Sequence, residues 1–347
     1  MKANELKKRI ANLLNVAKKA KIMDCQNIKV DGDIFTANDL SIQIEEEVRF
    51  VNLSDEPYLI PAFQLDKVLS KLKNSEVRLN YVKGKAVIET EKGEFTLGSD
   101  DLKEFPDTFK YSELISRTLF TETRTLSKAF NFTSKDELRP AMCGVLVGPN
   151  VICATNGHYM LWSTNDTGLK ERFIIPNFVG THIKGVGQIV VKTYKSELRT
   201  SNYIIQFEYN NTKLTFRDID ERFPNYDCVI PTKNHNKFWI DKKEFLPELH
   251  LAEVAANSRT QKVVLRACRT LFAQDIDLQT EYNTKLNCEL STDTDIAFNG
   301  QFMQLIVNNL DESTVKMEYS AHNRAMIIKD ANNVNFLLMP TALYDWE

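Results

Sequence analysis

Histidine and cysteine are the residues of this chain best suited to chemistry, and their spacing matches no known site. The five histidines form neither HExxH nor another close ligand spacing. The six cysteines are all at least ten residues apart, so no CxxC pair is present to bind zinc or exchange disulfides. Neither GxSxG nor a glycine-rich phosphate loop occurs. We therefore expect no catalytic centre, no metal and no cofactor.

Size and composition favour a globular protein with several domains. The chain has 347 residues, of which 43% are apolar and 26% charged. Its net charge of −3 does not by itself indicate a nucleic-acid partner. Residues 1–23 contain no continuous apolar stretch of the kind found in secretory signals, and no apolar run is long enough to span a membrane. Together with the scattered cysteines, this predicts a cytoplasmic protein.

The chain contains an internal repeat of about one third of its length. The segment Phe35–Asp39 recurs as Ile152–Asn156 and again as Leu271–Asp275. Aligned on their alanines, the copies are 117 and 119 residues apart. Such a period indicates three copies of one structural unit. The expected domains are residues 1–113, 114–234 and 235–347.

Each repeat is expected to have two halves, each a helix followed by antiparallel strands, in an α+β fold. Alternating runs such as Val77–Tyr81, Tyr203–Tyr209 and Val315–Tyr319 predict the strands. Apolar residues at helical spacing predict five helices. These stripes are Leu6/Ile10/Leu13/Leu14/Ala17, Leu65/Val68/Leu69/Leu72, Leu126/Ala129/Phe130, Phe245/Leu249/Ala252/Ala256 and Phe302/Leu305/Ile306/Leu310. Residues 177–187 contain three glycines and are the weakest helix prediction, and Pro247 should kink its helix or mark its true start.

Basic side chains concentrate on the predicted helices. Residues 1–22 hold seven Lys or Arg and one acid. Lys7 with Lys18, and Lys8 with Lys19, are eleven residues apart, about three helical turns, so each pair should share a face. Recurrence on equivalent helices favours a surface that binds a polyanion through its backbone, although each run alone also suits a solvated helix face. The residues expected to face the polyanion are Lys7, Lys8, Lys18, Lys19, Lys67, Lys71, Lys128, Lys135, Arg139, Lys242 and Arg259.

Five short motifs follow one another along this threefold repeat. They are Phe95–Leu97 with Glu104–Pro106, Arg139–Val145, Ala154–His158, Arg222–Tyr226 with Val229–Pro231, and Leu337–Pro340. Their order and spacing resemble the bacterial sliding clamp family, the beta subunit of DNA polymerase III. The resemblance implies a homodimeric ring of six clamp domains, with helices lining the hole and sheets outside. Such a ring would encircle duplex DNA without reading its sequence, would serve as a processivity factor and would have no active site.

The resemblance also implies a pocket between the second and third domains. The replicative polymerase and the clamp loader would each insert a short apolar-aromatic motif there, although core packing also explains such apolar residues. The matching residues are Met142, Thr155, Gly157, His158, Tyr159, Met160, Pro224, Val229, Leu337, Met339, Pro340 and Thr341. Arg139 is expected either at the rim of this pocket or on the DNA-facing surface.

For the dimer seam, the resemblance implies pairing between two edge strands. The strand Glu94–Gly98 should pair with an edge strand of the partner subunit's third domain. Phe95 and Leu97 would then pack near Val254 and Ala255 across the seam.

Several residues near the pocket depart from the family pattern. Asn156 stands where the family has an acid, Tyr159 where it has a basic residue, and Thr341-Ala342 where it has Met-Arg. Residues 344–347 extend past the usual end of the family. One hypothesis is that Tyr344 or Trp346 folds over the groove and competes with partner peptides.

Two alternatives remain open at this stage. The first is a clamp-like interaction protein whose ring does not close. The second is a hydrolase that uses His158 with Asn156 or Thr155 in a cleft between domains. The absence of a nucleophile motif near His158 counts against the second alternative.

Overall fold

The computed structural model describes residues 1–106, 109–197 and 202–343. These residues form six α-helices: α1 (Ala3–Arg9), α2 (Ala11–Lys19), α3 (Ala62–Leu72), α4 (Thr123–Ala129), α5 (Lys242–Ala255) and α6 (Gly300–Asn309). The strands are β1 (Asn27–Asp31), β2 (Ile34–Asn38), β3 (Ile42–Glu47), β4 (Tyr58–Pro61), β5 (Val77–Val82), β6 (Lys85–Thr90), β7 (Gly93–Gly98), β8 (Tyr111–Phe120), β9 (Gly144–Gly148), β10 (Val151–Thr155), β11 (Tyr159–Ser163), β12 (Phe173–Pro176), β13 (Ile189–Ser196), β14 (Tyr203–Tyr209), β15 (Thr212–Arg217), β16 (Asn236–Asp241), β17 (Lys262–Arg266), β18 (Thr270–Asp275), β19 (Thr280–Lys285), β20 (Glu289–Ser291), β21 (Ile296–Asn299), β22 (Thr314–Tyr319), β23 (Met326–Lys329) and β24 (Val334–Leu338). The predicted α+β class is confirmed.

The chain divides into two compact units, each built from two separate stretches of sequence. The first unit comprises residues 1–123 and 178–220, and the second comprises residues 124–177 and 221–347. Among the described residues, no helix is long and apolar enough to cross a membrane.

The first unit contains an eight-stranded antiparallel sheet and a three-stranded one. The larger sheet has the order β4-β1-β2-β3-β15-β14-β13-β8, and the smaller has the order β5-β6-β7. In the larger sheet β3 pairs with β15, with Ile44 opposite Leu214. Both of these side chains are fully buried, so strands far apart in sequence share one core.

The second unit contains a nine-stranded sheet and a four-stranded one. The larger sheet has the order β12-β9-β10-β11-β24-β23-β22-β16-β20, and the smaller has the order β19-β18-β17-β21. Here β11 pairs with β24, placing Tyr159 opposite Leu338. The three repeated strands of the sequence analysis are β2, β10 and β18, and the alanine of each is buried.

The compact units do not coincide with the three expected domains. The pairings β3–β15 and β11–β24 each join strands from two predicted repeats into one hydrogen-bonded sheet. Because hydrogen bonds and side-chain packing continue along such a sheet, compactness alone does not separate one repeat from the next. The division at residues 113 and 234 remains a prediction.

The helices form where the apolar stripes predict them. The first helix is divided in two and α5 starts before its proline, whereas the cap of α6 is as expected. The first stripe is buried, but its helix is interrupted at Ile10, whose φ of −90° and ψ of 15° separate α1 from α2. In the third repeat, the Asn299 side chain accepts a hydrogen bond from Phe302 N and caps α6. The α5 helix begins at Lys242, so Pro247 lies inside it rather than at its start.

Residues 177–187 do not form the helix found in the other half-repeats. A five-residue 3₁₀ turn, Asn177–Thr181, takes its place. Gly185 then adopts a φ of 78°, a conformation that favours glycine and that a right-handed helix excludes. The conformation of this segment is therefore consistent with its weak helix prediction.

Candidate functional site

Most residues of the candidate pocket come together where three strands of the second unit end. Thr155 ends β10, Tyr159 begins β11 and Leu338 ends β24. Beyond the end of β24, Met339 N donates a hydrogen bond of 2.8 Å to His158 O. The chain then returns to the four-stranded sheet, where Thr341 N donates to Ala297 O at 2.9 Å. These bonds fix residues 339–341 beside the turn that carries His158.

That turn is held by its own polar side chains. Thr155 Oγ1 donates to Tyr159 O at 2.7 Å and accepts from Gly157 N at 3.0 Å. Asn156 Oδ1 accepts from His158 N at 2.9 Å and from Tyr159 N at 3.0 Å. An amide oxygen accepts these bonds as a carboxylate would, which explains why Asn156 can replace the acid expected from the family pattern.

Gly157 allows this turn to form and brings Arg139 beside it. Its φ of 92° lies in the region that favours glycine, and a Cβ at this position would lie 3.4 Å from Arg139 Nη1. Arg139 also pairs with Asp136, at 3.5 Å. Of the two expected locations of Arg139, the geometry therefore supports the pocket rim.

An aromatic cluster lies against this turn. The Tyr159 ring packs on Phe302 at a centroid distance of 4.9 Å and on Phe132 at 5.5 Å. The His158 ring stacks on Phe302 at 5.9 Å. Burial raises the pKa of Tyr159, so this hydroxyl stays protonated at neutral pH. The sequence predicts Phe302 only as part of a helical stripe, and no sequence signal places it beside the turn.

The remaining pocket residues differ in exposure. Met160 and Leu337 pair across β11 and β24 and are almost fully buried, as core packing would require. Met339 is 38% exposed and Val229 is 50% exposed, so these two can contact a ligand. Met142 lies in the 3₁₀ segment Pro140–Cys143, where its carbonyl oxygen accepts from Ser134 N at 2.8 Å. Pro224 and Pro340 are both half-buried.

The hydrolase alternative finds little support at His158. The Thr155 hydroxyl and the Asn156 amide oxygen, its two candidate partners, are both engaged in hydrogen bonds to the turn backbone. Over the described ranges, no group of three or more His, Cys, Asp or Glu residues is arranged to hold a metal ion.

The first basic pair lies on one helix face, as its spacing predicts. Lys7 Nζ lies 2.7 Å from Asp66 Oδ1, and Lys18 Nζ lies 2.5 Å from Asp66 Oδ2. Other candidates for a polyanion-facing surface are at least partly exposed to solvent. These are Lys8, Lys19, Lys67, Lys71, Lys135, Arg139 and Arg259.

Lys128 and Lys242 have structural roles that the sequence did not reveal. The Lys128 side chain is only 12% exposed and pairs with Asp311 at 2.8 Å and with Asp330 at 3.0 Å. Burial raises the pKa of Asp330, but hydrogen bonds from the Asp311 and Glu312 backbone and from Lys128 lower it below its usual value. Lys242 Nζ donates to Leu310 O at 2.9 Å, at the end of α6. The prediction that Lys128 faces a polyanion is therefore wrong, because its side chain belongs to a largely buried ion-pair network.

The residues expected at the dimer seam lie on an edge strand of the first unit and on a helix of the second unit. Strand β7 is one of the two edge strands of the three-stranded sheet, and its Phe95 side chain is 45% exposed. In the second unit, β19 is an edge strand, and Val254 on α5 is 83% exposed. Ala255, by contrast, is buried and belongs to the core. The hypothesis about Tyr344 and Trp346 lies outside the described residues.

Comparison with known proteins gives consistent matches along the chain. Residues 227–342 match the family model for the DNA polymerase III beta subunit, C-terminal domain. The beta sliding clamp of Chlamydia pneumoniae is 22% identical over 340 residues, covering 91% of this chain and 89% of that protein.

Solved structures share the fold over nearly the whole chain. A DNA polymerase sliding clamp from Pseudomonas aeruginosa, crystallised with a ligand, matches with a TM-score of 0.86 and 16% identity, covering 99% of both chains. A sliding clamp from Bartonella birtlesii, bound to griselimycin, matches with a TM-score of 0.86 and 19% identity, covering 99% of this chain and 98% of that one. Residues 227–342 thus match the C-terminal domain of the DNA polymerase III beta subunit, and the chain as a whole is similar to bacterial beta sliding clamps in sequence and shares their fold.

Proposed function

We propose that the protein acts in the cytoplasm as a homodimeric ring of six clamp domains that encircles duplex DNA and slides along it. The ring tethers the replicative polymerase, and a clamp loader opens and closes it around DNA. The observation that carries this proposal is the fold match over 99% of the chain to sliding clamps. The charges and exposed edges of this chain support it independently.

Ring closure would use the two exposed strand edges. Strand β7 of one subunit would pair with β19 of the partner subunit, extending both sheets through main-chain hydrogen bonds. Phe95 would supply an apolar anchor on one side, with Val254 and Leu278 on the other. Because the two edges are different, the contact is heterologous, and two such contacts close a ring of two subunits.

DNA would be held by exposed basic side chains on the helices. Contacts from lysine and arginine to phosphates carry no sequence information, so they permit movement along the duplex. In the first unit, α1, α2 and α3 present Lys8, Lys19, Lys67 and Lys71 to solvent. The net charge of −3 does not prevent such binding, because α1, α2 and α3 carry a local excess of basic residues while acids such as Glu45–Glu47 lie on a strand.

Partner proteins would bind at the turn Thr155–Tyr159 and the adjacent residues 339–341. The half-exposed Met339, the Tyr159 ring and Phe302 form an adaptable apolar surface suited to an apolar-aromatic peptide. The Bartonella birtlesii clamp was solved with griselimycin bound, and a Caulobacter crescentus clamp was solved with polyethylene glycol in a putative beta-motif tethering region. Small molecules of different chemistry thus bind related proteins.

Topological retention on DNA tests the proposal. The protein is loaded on nicked circular DNA with its clamp loader and ATP, and the complex is separated by gel filtration. We expect it to co-elute with the circle and to be lost when a restriction enzyme linearises the DNA. Equal retention on circular and linear DNA, or no retention on either, would contradict the proposed ring. Light scattering then distinguishes a closed dimer from the alternative of a ring that does not close.

A further inference from the structure

A single carboxylate neutralises two of the basic side chains on the first helical face. The Asp66 side chain on α3 lies between Lys7 of α1 and Lys18 of α2, at 2.7 and 2.5 Å. Lys7 Nζ also donates to Ser70 Oγ at 2.6 Å, and Ser70 Oγ donates to Asp66 O at 2.6 Å. Three helices therefore meet at one Lys–Asp–Lys cluster.

The neighbouring lysines differ from this pair. Lys8 and Lys19 have no acidic side chain within ion-pair distance in the described part of the chain. The cluster itself borders a surface cavity of about 540 Å³, which Ala11, Leu14, Asn15 and Phe63 also line. The Phe63 ring is 46% exposed, and Lys18 Nζ lies 5.9 Å from its centroid. An open space thus adjoins two cations that are already paired.

We propose that Asp66 is a built-in substitute for a DNA phosphate, which weakens the grip of this helix face on duplex DNA and so permits sliding. This inference rests on the proposed function, because it assumes that the face meets DNA. A phosphate oxygen can form the same charge-assisted hydrogen bonds to Lys7 and Lys18 that the carboxylate forms now. Each ammonium has three N–H donors, so a phosphate can bind beside the carboxylate, but Asp66 already neutralises part of the charge that would attract that phosphate.

The environment of Asp66 keeps this competitor charged. Hydrogen bonds from Lys18 and Lys7 lower the pKa of Asp66 below its usual value, so the carboxylate stays ionised at neutral pH. The side chains of Lys7 and Lys18 are 41% and 36% exposed, so a ligand from solvent can reach them without unfolding the helices. The competition is consequently local and reversible.

The test compares two charge-neutralising variants of the full-length protein. D66N frees Lys7 and Lys18, whereas D31N removes an acid that pairs with Lys29, at 3.0 Å on strand β1. Both variants raise the net charge by one. Affinity for a short fluorescent DNA duplex is measured by anisotropy across a salt series. We expect D66N to bind about tenfold more tightly near 100 mM salt, with a salt slope steeper by about one to two.

A double-mutant cycle checks that the effect passes through the lysines. K7Q should change affinity little in the wild type, because Asp66 already occupies Lys7, but should remove part of the gain in D66N. D66S is measured in parallel, so that the result does not depend on the folding of one variant, and D66E should restore wild-type behaviour.

The outcomes separate this inference from the function on which it rests. Tighter binding by D66N and D66S, but not by D31N, supports the role of Asp66. If the wild type is retained on circular DNA but D66N and D66S bind no more tightly than D31N, the inference is overturned and the clamp function stands. If the wild type is retained on neither circular nor linear DNA, the proposed function fails and the inference fails with it.

Discussion

Lysines that are similar in sequence have different environments in this protein. Lys7 and Lys18 share one carboxylate near the surface, whereas Lys128 is enclosed by Asp311 and Asp330. Residue type and helical spacing correctly place Lys7 and Lys18 on one face, since that relation is local. They do not locate Lys128, because its partners are more than 180 residues away in the chain.

Removing the Lys128 ammonium should destabilise the second unit. Breaking a buried ion pair from one side leaves an uncompensated charge, so we expect K128M to lower the free energy of unfolding by about 3 kcal/mol. The matched control is K329M, whose ammonium pairs with Glu318 at 2.8 Å but is 52% exposed, so its loss should cost about 1 kcal/mol or less. Urea denaturation of both variants at one protein concentration measures the difference. Equal losses would show that the Lys128 network does not act as a buried pair.

Phe302 should be an anchor for partner peptides. It contacts both His158 and Tyr159, so truncation removes an aromatic surface that a ligand can share. We expect F302A to weaken binding of a labelled apolar-aromatic peptide from the polymerase about tenfold or more, as measured by fluorescence anisotropy. Q301A, an exposed change on the same helix, is the control and should leave affinity unchanged. If F302A and the wild type bound the peptide with similar affinity, Phe302 would not be part of the binding site.

At the scale of secondary structure, the edge strands of the sheets bear more on the proposed assembly than the central strands do. The central strands β2, β10 and β18 repeat in sequence and are largely buried, and of the three only β10 contributes a residue, Thr155, to the candidate pocket. Strand β7 is exposed along most of its length, and β19 is its counterpart in the second unit. Edge strands are open to pairing with another chain, and these two are the edges that the proposed ring would use.

A charge placed on either side of the proposed seam should open the proposed ring. F95D and V254D each put a carboxylate where the proposed seam is apolar, and both positions are exposed in the subunit, so folding should be unaffected. Light scattering should then give a mass near 39.9 kDa instead of about twice that value. F50D, at a position 89% exposed and outside the proposed seam, is the control and should remain dimeric. Dimers of unchanged stability in F95D and V254D would rule out this seam.

At the scale of the whole molecule, the sheets continue from one predicted repeat into the next. The pairings β3–β15 and β11–β24 cross the predicted repeat boundaries, and the chain divides by its contacts into two compact units. One half-repeat also lacks its helix, since residues 177–187 form only a short 3₁₀ turn. The protein thus keeps the clamp fold while departing from its own internal symmetry.

The amino-acid sequence alone determined the repeat, the α+β class, most helices and strands, and the resemblance to sliding clamps. These features depend on local periodicity, on capping and turn residues, and on motif order, which can be read without tertiary structure. Only the tertiary structure decided that Lys128 is internal, that Asp66 pairs with both Lys7 and Lys18, and that Phe302 joins the candidate pocket. Each depends on which distant residues the fold brings within a few ångströms, and neither the residue type nor the spacing along the chain carries that information.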